Sequence, residues 1–283
     1  MDQFYKRTII CGLALLVAML TLPASAQEQS VHLENAEAAI ARGDYGDAGR
    51  AFEAECDAGG PMGCYNLGIY ERQGIGRPKN SAKAQMYNER ACNMAYVSGC
   101  ANLGSSLMTG DGAPQDLPRA RKLLEQSCIK KFAPACFNLA LLQQGIFGGK
   151  PDFKSSKKNL AASCNLGLGE ACYKIGVDTE ASANDEKGWR TAINAYQSAC
   201  DKQIGAACNA LGVMANKGNG FAIDGQVMKR FFELACERQS STGCYNLSNM
   251  LNEGVLIPAD KVAADQAKQK GMSIDANAGI APR

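Results

Sequence analysis

The fold is decided by the segment CNMAYVSGCANLGSSLMTGDG, which runs from Cys92 to Gly112. It contains two cysteines eight residues apart, then Asn-Leu-Gly, and then a Gly-x-Gly. The cysteine pair returns every 36 residues, six times in all and without an insertion or a deletion. A fixed period in this range is typical of a solenoid built from helix pairs. The six pairs are Cys56 and Cys64, Cys92 and Cys100, Cys128 and Cys136, Cys164 and Cys172, Cys200 and Cys208, and Cys236 and Cys244.

The chain must turn between the two cysteines of each pair. Eight residues of α-helix would separate their Cα atoms by about 12 Å, whereas a disulfide needs them within roughly 7 Å. The first of these segments contains Gly59, Gly60 and Pro61, which favour a turn. Pairing of Cys64 with Cys92 stays open at this point, because a helix pair would also bring those ends together. No CxxC motif is present, so structural disulfides are favoured over a zinc site or thiol exchange.

The residues after each second cysteine predict the first helix of a repeat. The leucine of the Asn-Leu-Gly motif is expected to face a neighbouring helix, and the small residue after it lets the backbones approach. A glycine pair such as Gly74 and Gly76 then suits a helix end and a turn. A second helix follows and reaches the next cysteine, for example over residues 117–129. Versions of the motif lie at residues 66–68, 102–104, 138–140, 174–176 and 246–248.

These features together resemble the Sel1-like repeats, and in particular the disulfide-bridged type found in the Helicobacter cysteine-rich proteins. The resemblance covers residues 51–270 and implies an all-α, α/α superhelical solenoid of helix pairs related to tetratricopeptide repeats. It also implies that the cysteines eight apart are paired, and that the protein binds other proteins. The fourth repeat departs from the pattern, because Ser182 and Asn184 stand where the glycines are expected. Its loop, residues 178–187, is therefore expected to differ.

The two ends of the chain have other patterns. Lys6 and Arg7 precede an apolar run, and the small residues around Ala26 complete a secretory signal over residues 1–26. Residues 27–55 predict a capping hairpin of the tetratricopeptide type, followed by six repeats over residues 56–270. Residues 271–283 lack periodicity and are predicted to be a flexible tail.

The composition favours an exported protein that stays in solution once its signal is removed. Cleavage after Ala26 removes Cys11 and leaves twelve cysteines, an even number that suits disulfides in an oxidising compartment. The predicted location is therefore the periplasm or the exterior of a bacterial cell. The formal net charge of the whole chain is +2, with both signs scattered. This pattern favours neither nucleic-acid binding nor an anionic-membrane surface, and no membrane insertion, metal or cofactor is expected.

Four asparagines predict a peptide-binding groove. They occupy one column on the first helices, so stacking of the repeats should align them along the concave side. A carboxamide both donates and accepts, which suits the backbone of an extended peptide. The alternative is that these amides bond to neighbouring helices and fix the stacking. The four residues are Asn66, Asn102, Asn138 and Asn246. Aromatic residues precede three of them and the equivalent Lys174; these are Tyr65, Phe137, Tyr173 and Tyr245. Core packing is the favoured role of these rings.

The leading interpretation is a monomeric adaptor that binds a protein or peptide, with a secreted effector that binds a host protein as one alternative. A second alternative is a β-lactamase or penicillin-binding hydrolase, an activity that the resemblance implies. SxxK occurs at Ser155 and at Ser127, but the SDN and KTG partners of the serine β-lactamase signature are absent. His32, the single histidine, belongs to no recognisable catalytic motif. No catalytic residue is predicted.

Overall fold

The computed structural model describes residues 24–278, which form fourteen α-helices and contain no β-strand. The helices group into two compact units, one ending at Lys130 and the other beginning at Lys131. Consecutive helices pack as pairs, so the all-α solenoid architecture that the sequence predicts is confirmed. No helix of this range is long and apolar enough to cross a membrane. The predicted signal lies outside the described residues, apart from its last three.

The first unit contains the N-terminal hairpin and two repeats. The hairpin helices are joined at Gly43, whose backbone is left-handed. Each repeat then contributes a first helix, α3 or α5, and a second helix, α4 or α6. The helices are α1 Ala24–Ala41, α2 Tyr45–Asp57, α3 Pro61–Gln73, α4 Ser81–Asn93, α5 Val97–Thr109 and α6 Leu117–Ile129.

The second unit contains four repeats, with first helices α7, α9, α11 and α13 and second helices α8, α10, α12 and α14. Their bounds are α7 Ala133–Gln143, α8 Phe153–Asn165, α9 Gly169–Glu180, α10 Glu186–Asp201, α11 Gly205–Lys217, α12 Gly225–Glu237, α13 Ser241–Glu253 and α14 Lys261–Asn277.

The predicted tail is wrong over residues 271–277, which continue helix α14. Gly271 is buried against the ring of Tyr245, where a Cβ atom would lie 2.9 Å from the ring. One turn later, the Tyr245 hydroxyl donates to Asp275 Oδ2 at 2.8 Å. Asp275 is only 2% exposed. Packing against α13 therefore holds the end of the chain in a helix that its own periodicity does not indicate.

The leucine column of the first helices forms the core, as predicted. Leu67, Leu103, Leu139, Leu211 and Leu247 are all buried. In four repeats the residue after this column is a glycine that faces a side chain of the second helix twenty residues later, namely Gly68, Gly104, Gly176 and Gly212. At Gly212, a Cβ atom would lie 2.5 Å from the ring of Phe232, and at Gly176 it would lie 2.5 Å from the ring of Tyr196. The absence of a Cβ atom thus allows the helices of these four repeats to pack closely, which confirms this part of the prediction for them.

Every second helix begins at an Asp or Asn whose side chain caps it. The side-chain oxygen of the cap accepts a hydrogen bond from a backbone N–H two or three residues later, which satisfies a donor at the open end of the helix. Such caps fix where each second helix starts and therefore the length of the loop before it. The caps are Asn80, Asp116, Asp152, Asp185, Asp224 and Asp260.

Five disulfides within the two units join the end of one helix to the start of the next. Their Cα atoms lie 4.4 to 4.9 Å apart, so the chain reverses between the paired cysteines. The third residue after the first cysteine has a left-handed backbone, at Gly59 and Gly167 but also at Ala95, Gln203 and Gln239. This recurring conformation produces the turn that the spacing predicts. The bonds are Cys56–Cys64, Cys92–Cys100, Cys164–Cys172, Cys200–Cys208 and Cys236–Cys244.

The first disulfide turn encloses a carboxylate. Glu55 is 2% exposed and its Oε2 accepts a hydrogen bond from the Gly63 backbone N–H, in the first turn of α3. A Cβ atom on Gly60 or Gly63 would collide with this side chain. Burial raises the pKa of the Glu55 carboxyl above its ordinary 4.5, and the Gly63 amide and the nearby His32 oppose that rise. Glu55 therefore caps α3 at an electrostatic cost when it is ionised.

Replacing Glu55 with Gln should remove a loss of stability that develops as the pH rises. Because the folded protein holds the Glu55 proton more tightly than the unfolded chain does, ionisation above pH 4.5 favours unfolding. Glutamine keeps an oxygen for the Gly63 amide but does not ionise. Urea unfolding of both proteins between about pH 4 and pH 7 should therefore show a difference in unfolding free energy that grows with pH in favour of the variant. Glu53→Gln, at an exposed position of α2, is the control; identical pH profiles for all three proteins would contradict this assignment.

Candidate functional site

The asparagines of the first unit have accessible amides. Asn66 on α3 and Asn102 on α5 are half-buried, and within residues 24–278 neither side chain forms a hydrogen bond. A polar contact between these two helices lies close by in sequence, because the Arg72 guanidinium donates to Ser106 Oγ. The two amides are thus free for a ligand, while Arg72 supplies a bond between α3 and α5.

The asparagine column is less regular in the second unit. Asn138 on α7 is half-buried, and its side chain has no hydrogen-bond partner among the described residues. On α9 the equivalent residue is Lys174, which forms an ion pair with Asp178. Asp178 also accepts a hydrogen bond from Gln144 Nε2 at 3.0 Å, which links α9 to the end of α7. The polar groups of α9 are therefore engaged within the protein.

Asn246 fulfils the alternative interpretation of the column. Its Nδ2 donates to Asn209 Oδ1 at 2.7 Å, so the amide joins α13 to α11. Asn209 stands one position earlier in its repeat than the predicted column. One sequence column thus contains both accessible amides and an amide that fixes the stacking of two first helices.

Two of the contacts between first helices share a register. Counted from the second cysteine, the eighth residue of one repeat donates to the sixth residue of the next, as Arg72 does to Ser106 and Gln144 does to Asp178. The same register places Asn216 of α11 opposite Met250 of α13. Because Met250 offers neither a hydroxyl nor a carboxylate, the Asn216 amide has no hydrogen-bond partner in the described chain.

A cavity of about 270 Å³ lies where this register fails. Met228 and Phe232 of α12 are buried and contribute apolar side chains to its lining. Around them stand the side chains of Asn216, Asn249 and Glu253, which form no hydrogen bond or ion pair with other described residues. Val255 and Leu256 complete the wall and are 78% and 47% exposed. These three polar side chains are exposed to solvent, and apolar lining residues with a few accessible polar groups beside them suit a binding pocket for a side chain. The other lining residues are Val213, Asn246 and Met250.

The sequence did not predict this cavity. Only Asn246 among its lining residues belongs to the predicted groove. The signal that could have revealed it lies at the two positions that carry the contacts between first helices. Arg72 and Ser106 are both polar there, whereas the polar Asn216 stands opposite the apolar Met250. A comparison of neighbouring repeats at these two positions marks this interface and also Glu180 opposite Met214, where the Tyr196 hydroxyl donates to the Glu180 carboxylate instead.

The aromatic residues beside the column pack within the units. The Tyr65 ring lies 5.3 Å from that of Tyr96, between centroids, and burial raises the pKa of the Tyr65 phenol. The Tyr173 ring lies 5.7 Å from that of Tyr196. Phe137 contacts the cluster of Ala140, Leu160 and Ala171, and Tyr245 bonds to Asp275. These contacts favour the predicted packing role over contact with a ligand.

The serines of the two SxxK sequences form hydrogen bonds with groups of the scaffold. Ser127 is buried, and its hydroxyl donates to the Val97 carbonyl at 3.5 Å. Ser155 lies in the first turn of α8, where its backbone N–H donates to the capping Asp152. His32 lies on α1 and is half-buried near Glu55. Within residues 24–278, no group of three or more His, Cys, Asp or Glu residues could hold a metal ion.

Comparisons with known proteins agree with this architecture. The Sel1 repeat family matches residues 61–96, 97–131, 133–168 and 241–264, whereas no curated protein sequence matches the chain. A Sel1 repeat protein from Oxalobacter formigenes superimposes with a TM-score of 0.67 at 18% identity, over 85% of this chain and 96% of that one. A protective antigen of uropathogenic Escherichia coli with an SLR fold gives 0.50 at 18% identity, over 89% of this chain and 64% of that one. An immunity protein of Pseudomonas aeruginosa gives 0.51 at 12% identity, over 77% and 83%.

The fold, the matched repeats and the similar structures make this chain a Sel1-like repeat protein. More narrowly, it matches the disulfide-bridged, Helicobacter cysteine-rich type, because cysteine pairs at bonding distance recur with the repeats. This fold generally mediates contacts between proteins. Its disulfides indicate an oxidising environment outside the cytoplasm.

Proposed function

We propose that the protein is an exported scaffold that binds an extended peptide segment of a partner protein along its first helices. The observation that carries this proposal is the cavity between α11 and α13, where Asn216, Asn249 and Glu253 stand unpaired beside an apolar lining. A peptide side chain can occupy such a cavity, while the carboxamides of Asn216 and Asn249 that line it bond to the peptide backbone. The partner is a soluble or surface-exposed protein, either in the periplasm or outside the cell.

The accessible asparagines outside the cavity support the same proposal. Asn66, Asn102 and Asn138 lie on first helices, and their amides form no hydrogen bond within the described chain. A half-buried, unpaired carboxamide has lost part of its hydration, and a ligand that bonds to it replaces the lost hydrogen bonds. We assign these three amides to peptide binding, and Asn246 to the stacking of α13 on α11.

Removing the two unpaired amides of the cavity should weaken peptide binding about 5- to 150-fold, since two lost hydrogen bonds of roughly 0.5–1.5 kcal/mol each amount to about 1–3 kcal/mol. The purified, oxidised protein would be used to select binders from a random peptide display library. Dissociation constants of the selected peptides would then be measured by calorimetry for the wild type and for the Asn216→Ala, Asn249→Ala variant. The triple variant Asn66→Ala, Asn102→Ala, Asn138→Ala examines the rest of the surface, and it should also bind more weakly with unchanged helix content.

A matched control removes two exposed amides from second helices, through Asn165→Ala and Asn194→Ala. This control should bind the selected peptides as the wild type does. Equal affinity of the wild type, the cavity variant and the triple variant would overturn the proposed surface. A library that yields no binder to the oxidised protein would count against a peptide-binding function itself.

A further inference from the structure

The segment of residues 145–158, here called the basic segment, carries a local excess of positive charge. It comprises the loop before α8 and the first half of that helix. It contains four lysines, Lys150, Lys154, Lys157 and Lys158, and one acidic residue, Asp152. The near-neutral balance of the whole chain conceals this local excess of positive charge.

The four lysines of the basic segment are free to meet a partner. All are exposed, and none forms an ion pair or a hydrogen bond with another residue of the described range. The single carboxylate is held as the cap of α8, since Asp152 Oδ1 accepts a hydrogen bond from the Ser155 backbone N–H, and it offsets only one of the four positive charges. An anionic partner would therefore displace no existing ion pair.

Helix α8 presents these charges on one side. Ser156, Leu160 and Ser163 are buried and define its inner face. Lys154 and Lys158 are four residues apart and lie together on the opposite face. Among the six second helices, α8 is the one without an Asp or Glu. The outer face of α8 thus lacks the mixture of positive and negative charges found on the other second helices.

Two large apolar side chains accompany the lysines. Ile146 is 60% exposed and Phe153 is 61% exposed. The loop between them folds back on itself, since a Cβ atom on Gly145 would lie 3.1 Å from Pro151 Cγ and 3.3 Å from the Gly149 carbonyl oxygen. These contacts place Gly145, the residue before Ile146, next to Pro151, which lies two residues before Phe153.

We propose that the basic segment docks on the surface of an anionic phospholipid bilayer. Lysines on one helix face are attracted to the negative headgroups, and each adds to the affinity. Exposed Ile and Phe side chains beside them enter the boundary between headgroups and acyl chains. A basic helix with exposed Ile and Phe side chains beside it is the pattern of a membrane-surface helix, and an acidic protein is the alternative that the experiment below distinguishes. This inference is independent of peptide binding, because the basic segment shares no residue with the cavity or with the predicted asparagine column.

Vesicle co-sedimentation tests the proposal with the purified, oxidised protein lacking the predicted signal. The protein should bind vesicles of phosphatidylglycerol and phosphatidylethanolamine, release in high salt, and remain unbound to phosphatidylcholine vesicles. Charge reversal through Lys154→Glu and Lys158→Glu should lower the partition coefficient at least about tenfold. Ile146→Ser with Phe153→Ser should lower it too, and should make the remaining binding more sensitive to salt.

Lys187→Glu with Lys202→Glu is the matched control, because both lysines are exposed in the same unit and form no ion pair there. This control should retain most of the binding, and circular dichroism should show equal helix content in all variants. If the wild type does not bind anionic vesicles in low salt, or if both charge reversals weaken binding equally, the proposal is wrong. The first result would leave the lysines to an acidic protein partner, and neither result would affect the test of peptide binding.

Discussion

Full reduction of the disulfides should lower the melting temperature by tens of degrees and leave the chain partly unfolded at physiological temperature. Each bond closes a loop of eight residues, and the chain-entropy model assigns such a loop about 2–3 kcal/mol. Five of these contributions approach the whole net stability of a typical domain, roughly 5–15 kcal/mol. A solenoid depends on such local terms, because each repeat contacts only its neighbours. Thermal unfolding followed by circular dichroism, with and without a strong reductant, measures the loss.

The single-pair variant Cys200→Ala, Cys208→Ala separates one disulfide from the general effect of the reductant. It should lose about 2–3 kcal/mol of unfolding free energy. Mass mapping of peptides from the oxidised protein should recover links between cysteines eight apart, and none between Cys64 and Cys92. An unchanged melting curve with every thiol freed, shown by alkylation, would refute the stabilising role of the disulfides.

The fold was predictable because its repeating features lie in short, local patterns. The cysteine spacing requires a turn, and the left-handed residue in each turn lies three positions after the first cysteine, even where it is Ala95 or Gln203. The leucines of the first helices and the small residue after each of them predict directly how the two helices of a repeat pack. The helical end of the chain was missed because residues 271–277 are held by the contact of Tyr245 with Gly271 and Asp275, which local sequence does not contain.

The candidate site was only partly predictable, because the role of a polar side chain depends on what the next repeat offers. Asn102 and Asn246 occupy the same sequence column, yet only Asn246 meets an amide, that of Asn209. The cavity beside Asn216 and Met250 coincides with no sequence motif. A periodic sequence thus predicts the scaffold well, whereas the binding features lie where the period is broken.

The fourth repeat departs from the pattern in a way that the structure explains. As expected, its loop has no glycine at Ser182 or Asn184, and neither residue has a left-handed backbone. Helix α9 ends without a left-handed cap, and α10 starts at Glu186 after an early cap at Asp185. Tyr196 of α10 fills the space over Gly176 and donates its hydroxyl to Glu180 Oε2 at 2.6 Å. This bond holds the end of α9 against α10 where the other repeats use a glycine turn.

Replacing Tyr196 with Ala should therefore cost about 3–5 kcal/mol of unfolding free energy, as removal of a large buried ring does. Tyr196 is among the largest fully buried side chains of the described chain. Tyr196→Phe keeps the ring but loses the bond to the Glu180 carboxylate, so its cost should be smaller, about 1.5–3 kcal/mol. Phe153→Ala, an exposed aromatic residue on α8, should change stability by no more than about 0.5 kcal/mol. Denaturant unfolding of the four proteins measures these differences, and a Tyr196→Ala variant as stable as the Phe153→Ala variant would show that Tyr196 does not hold α9 and α10 together.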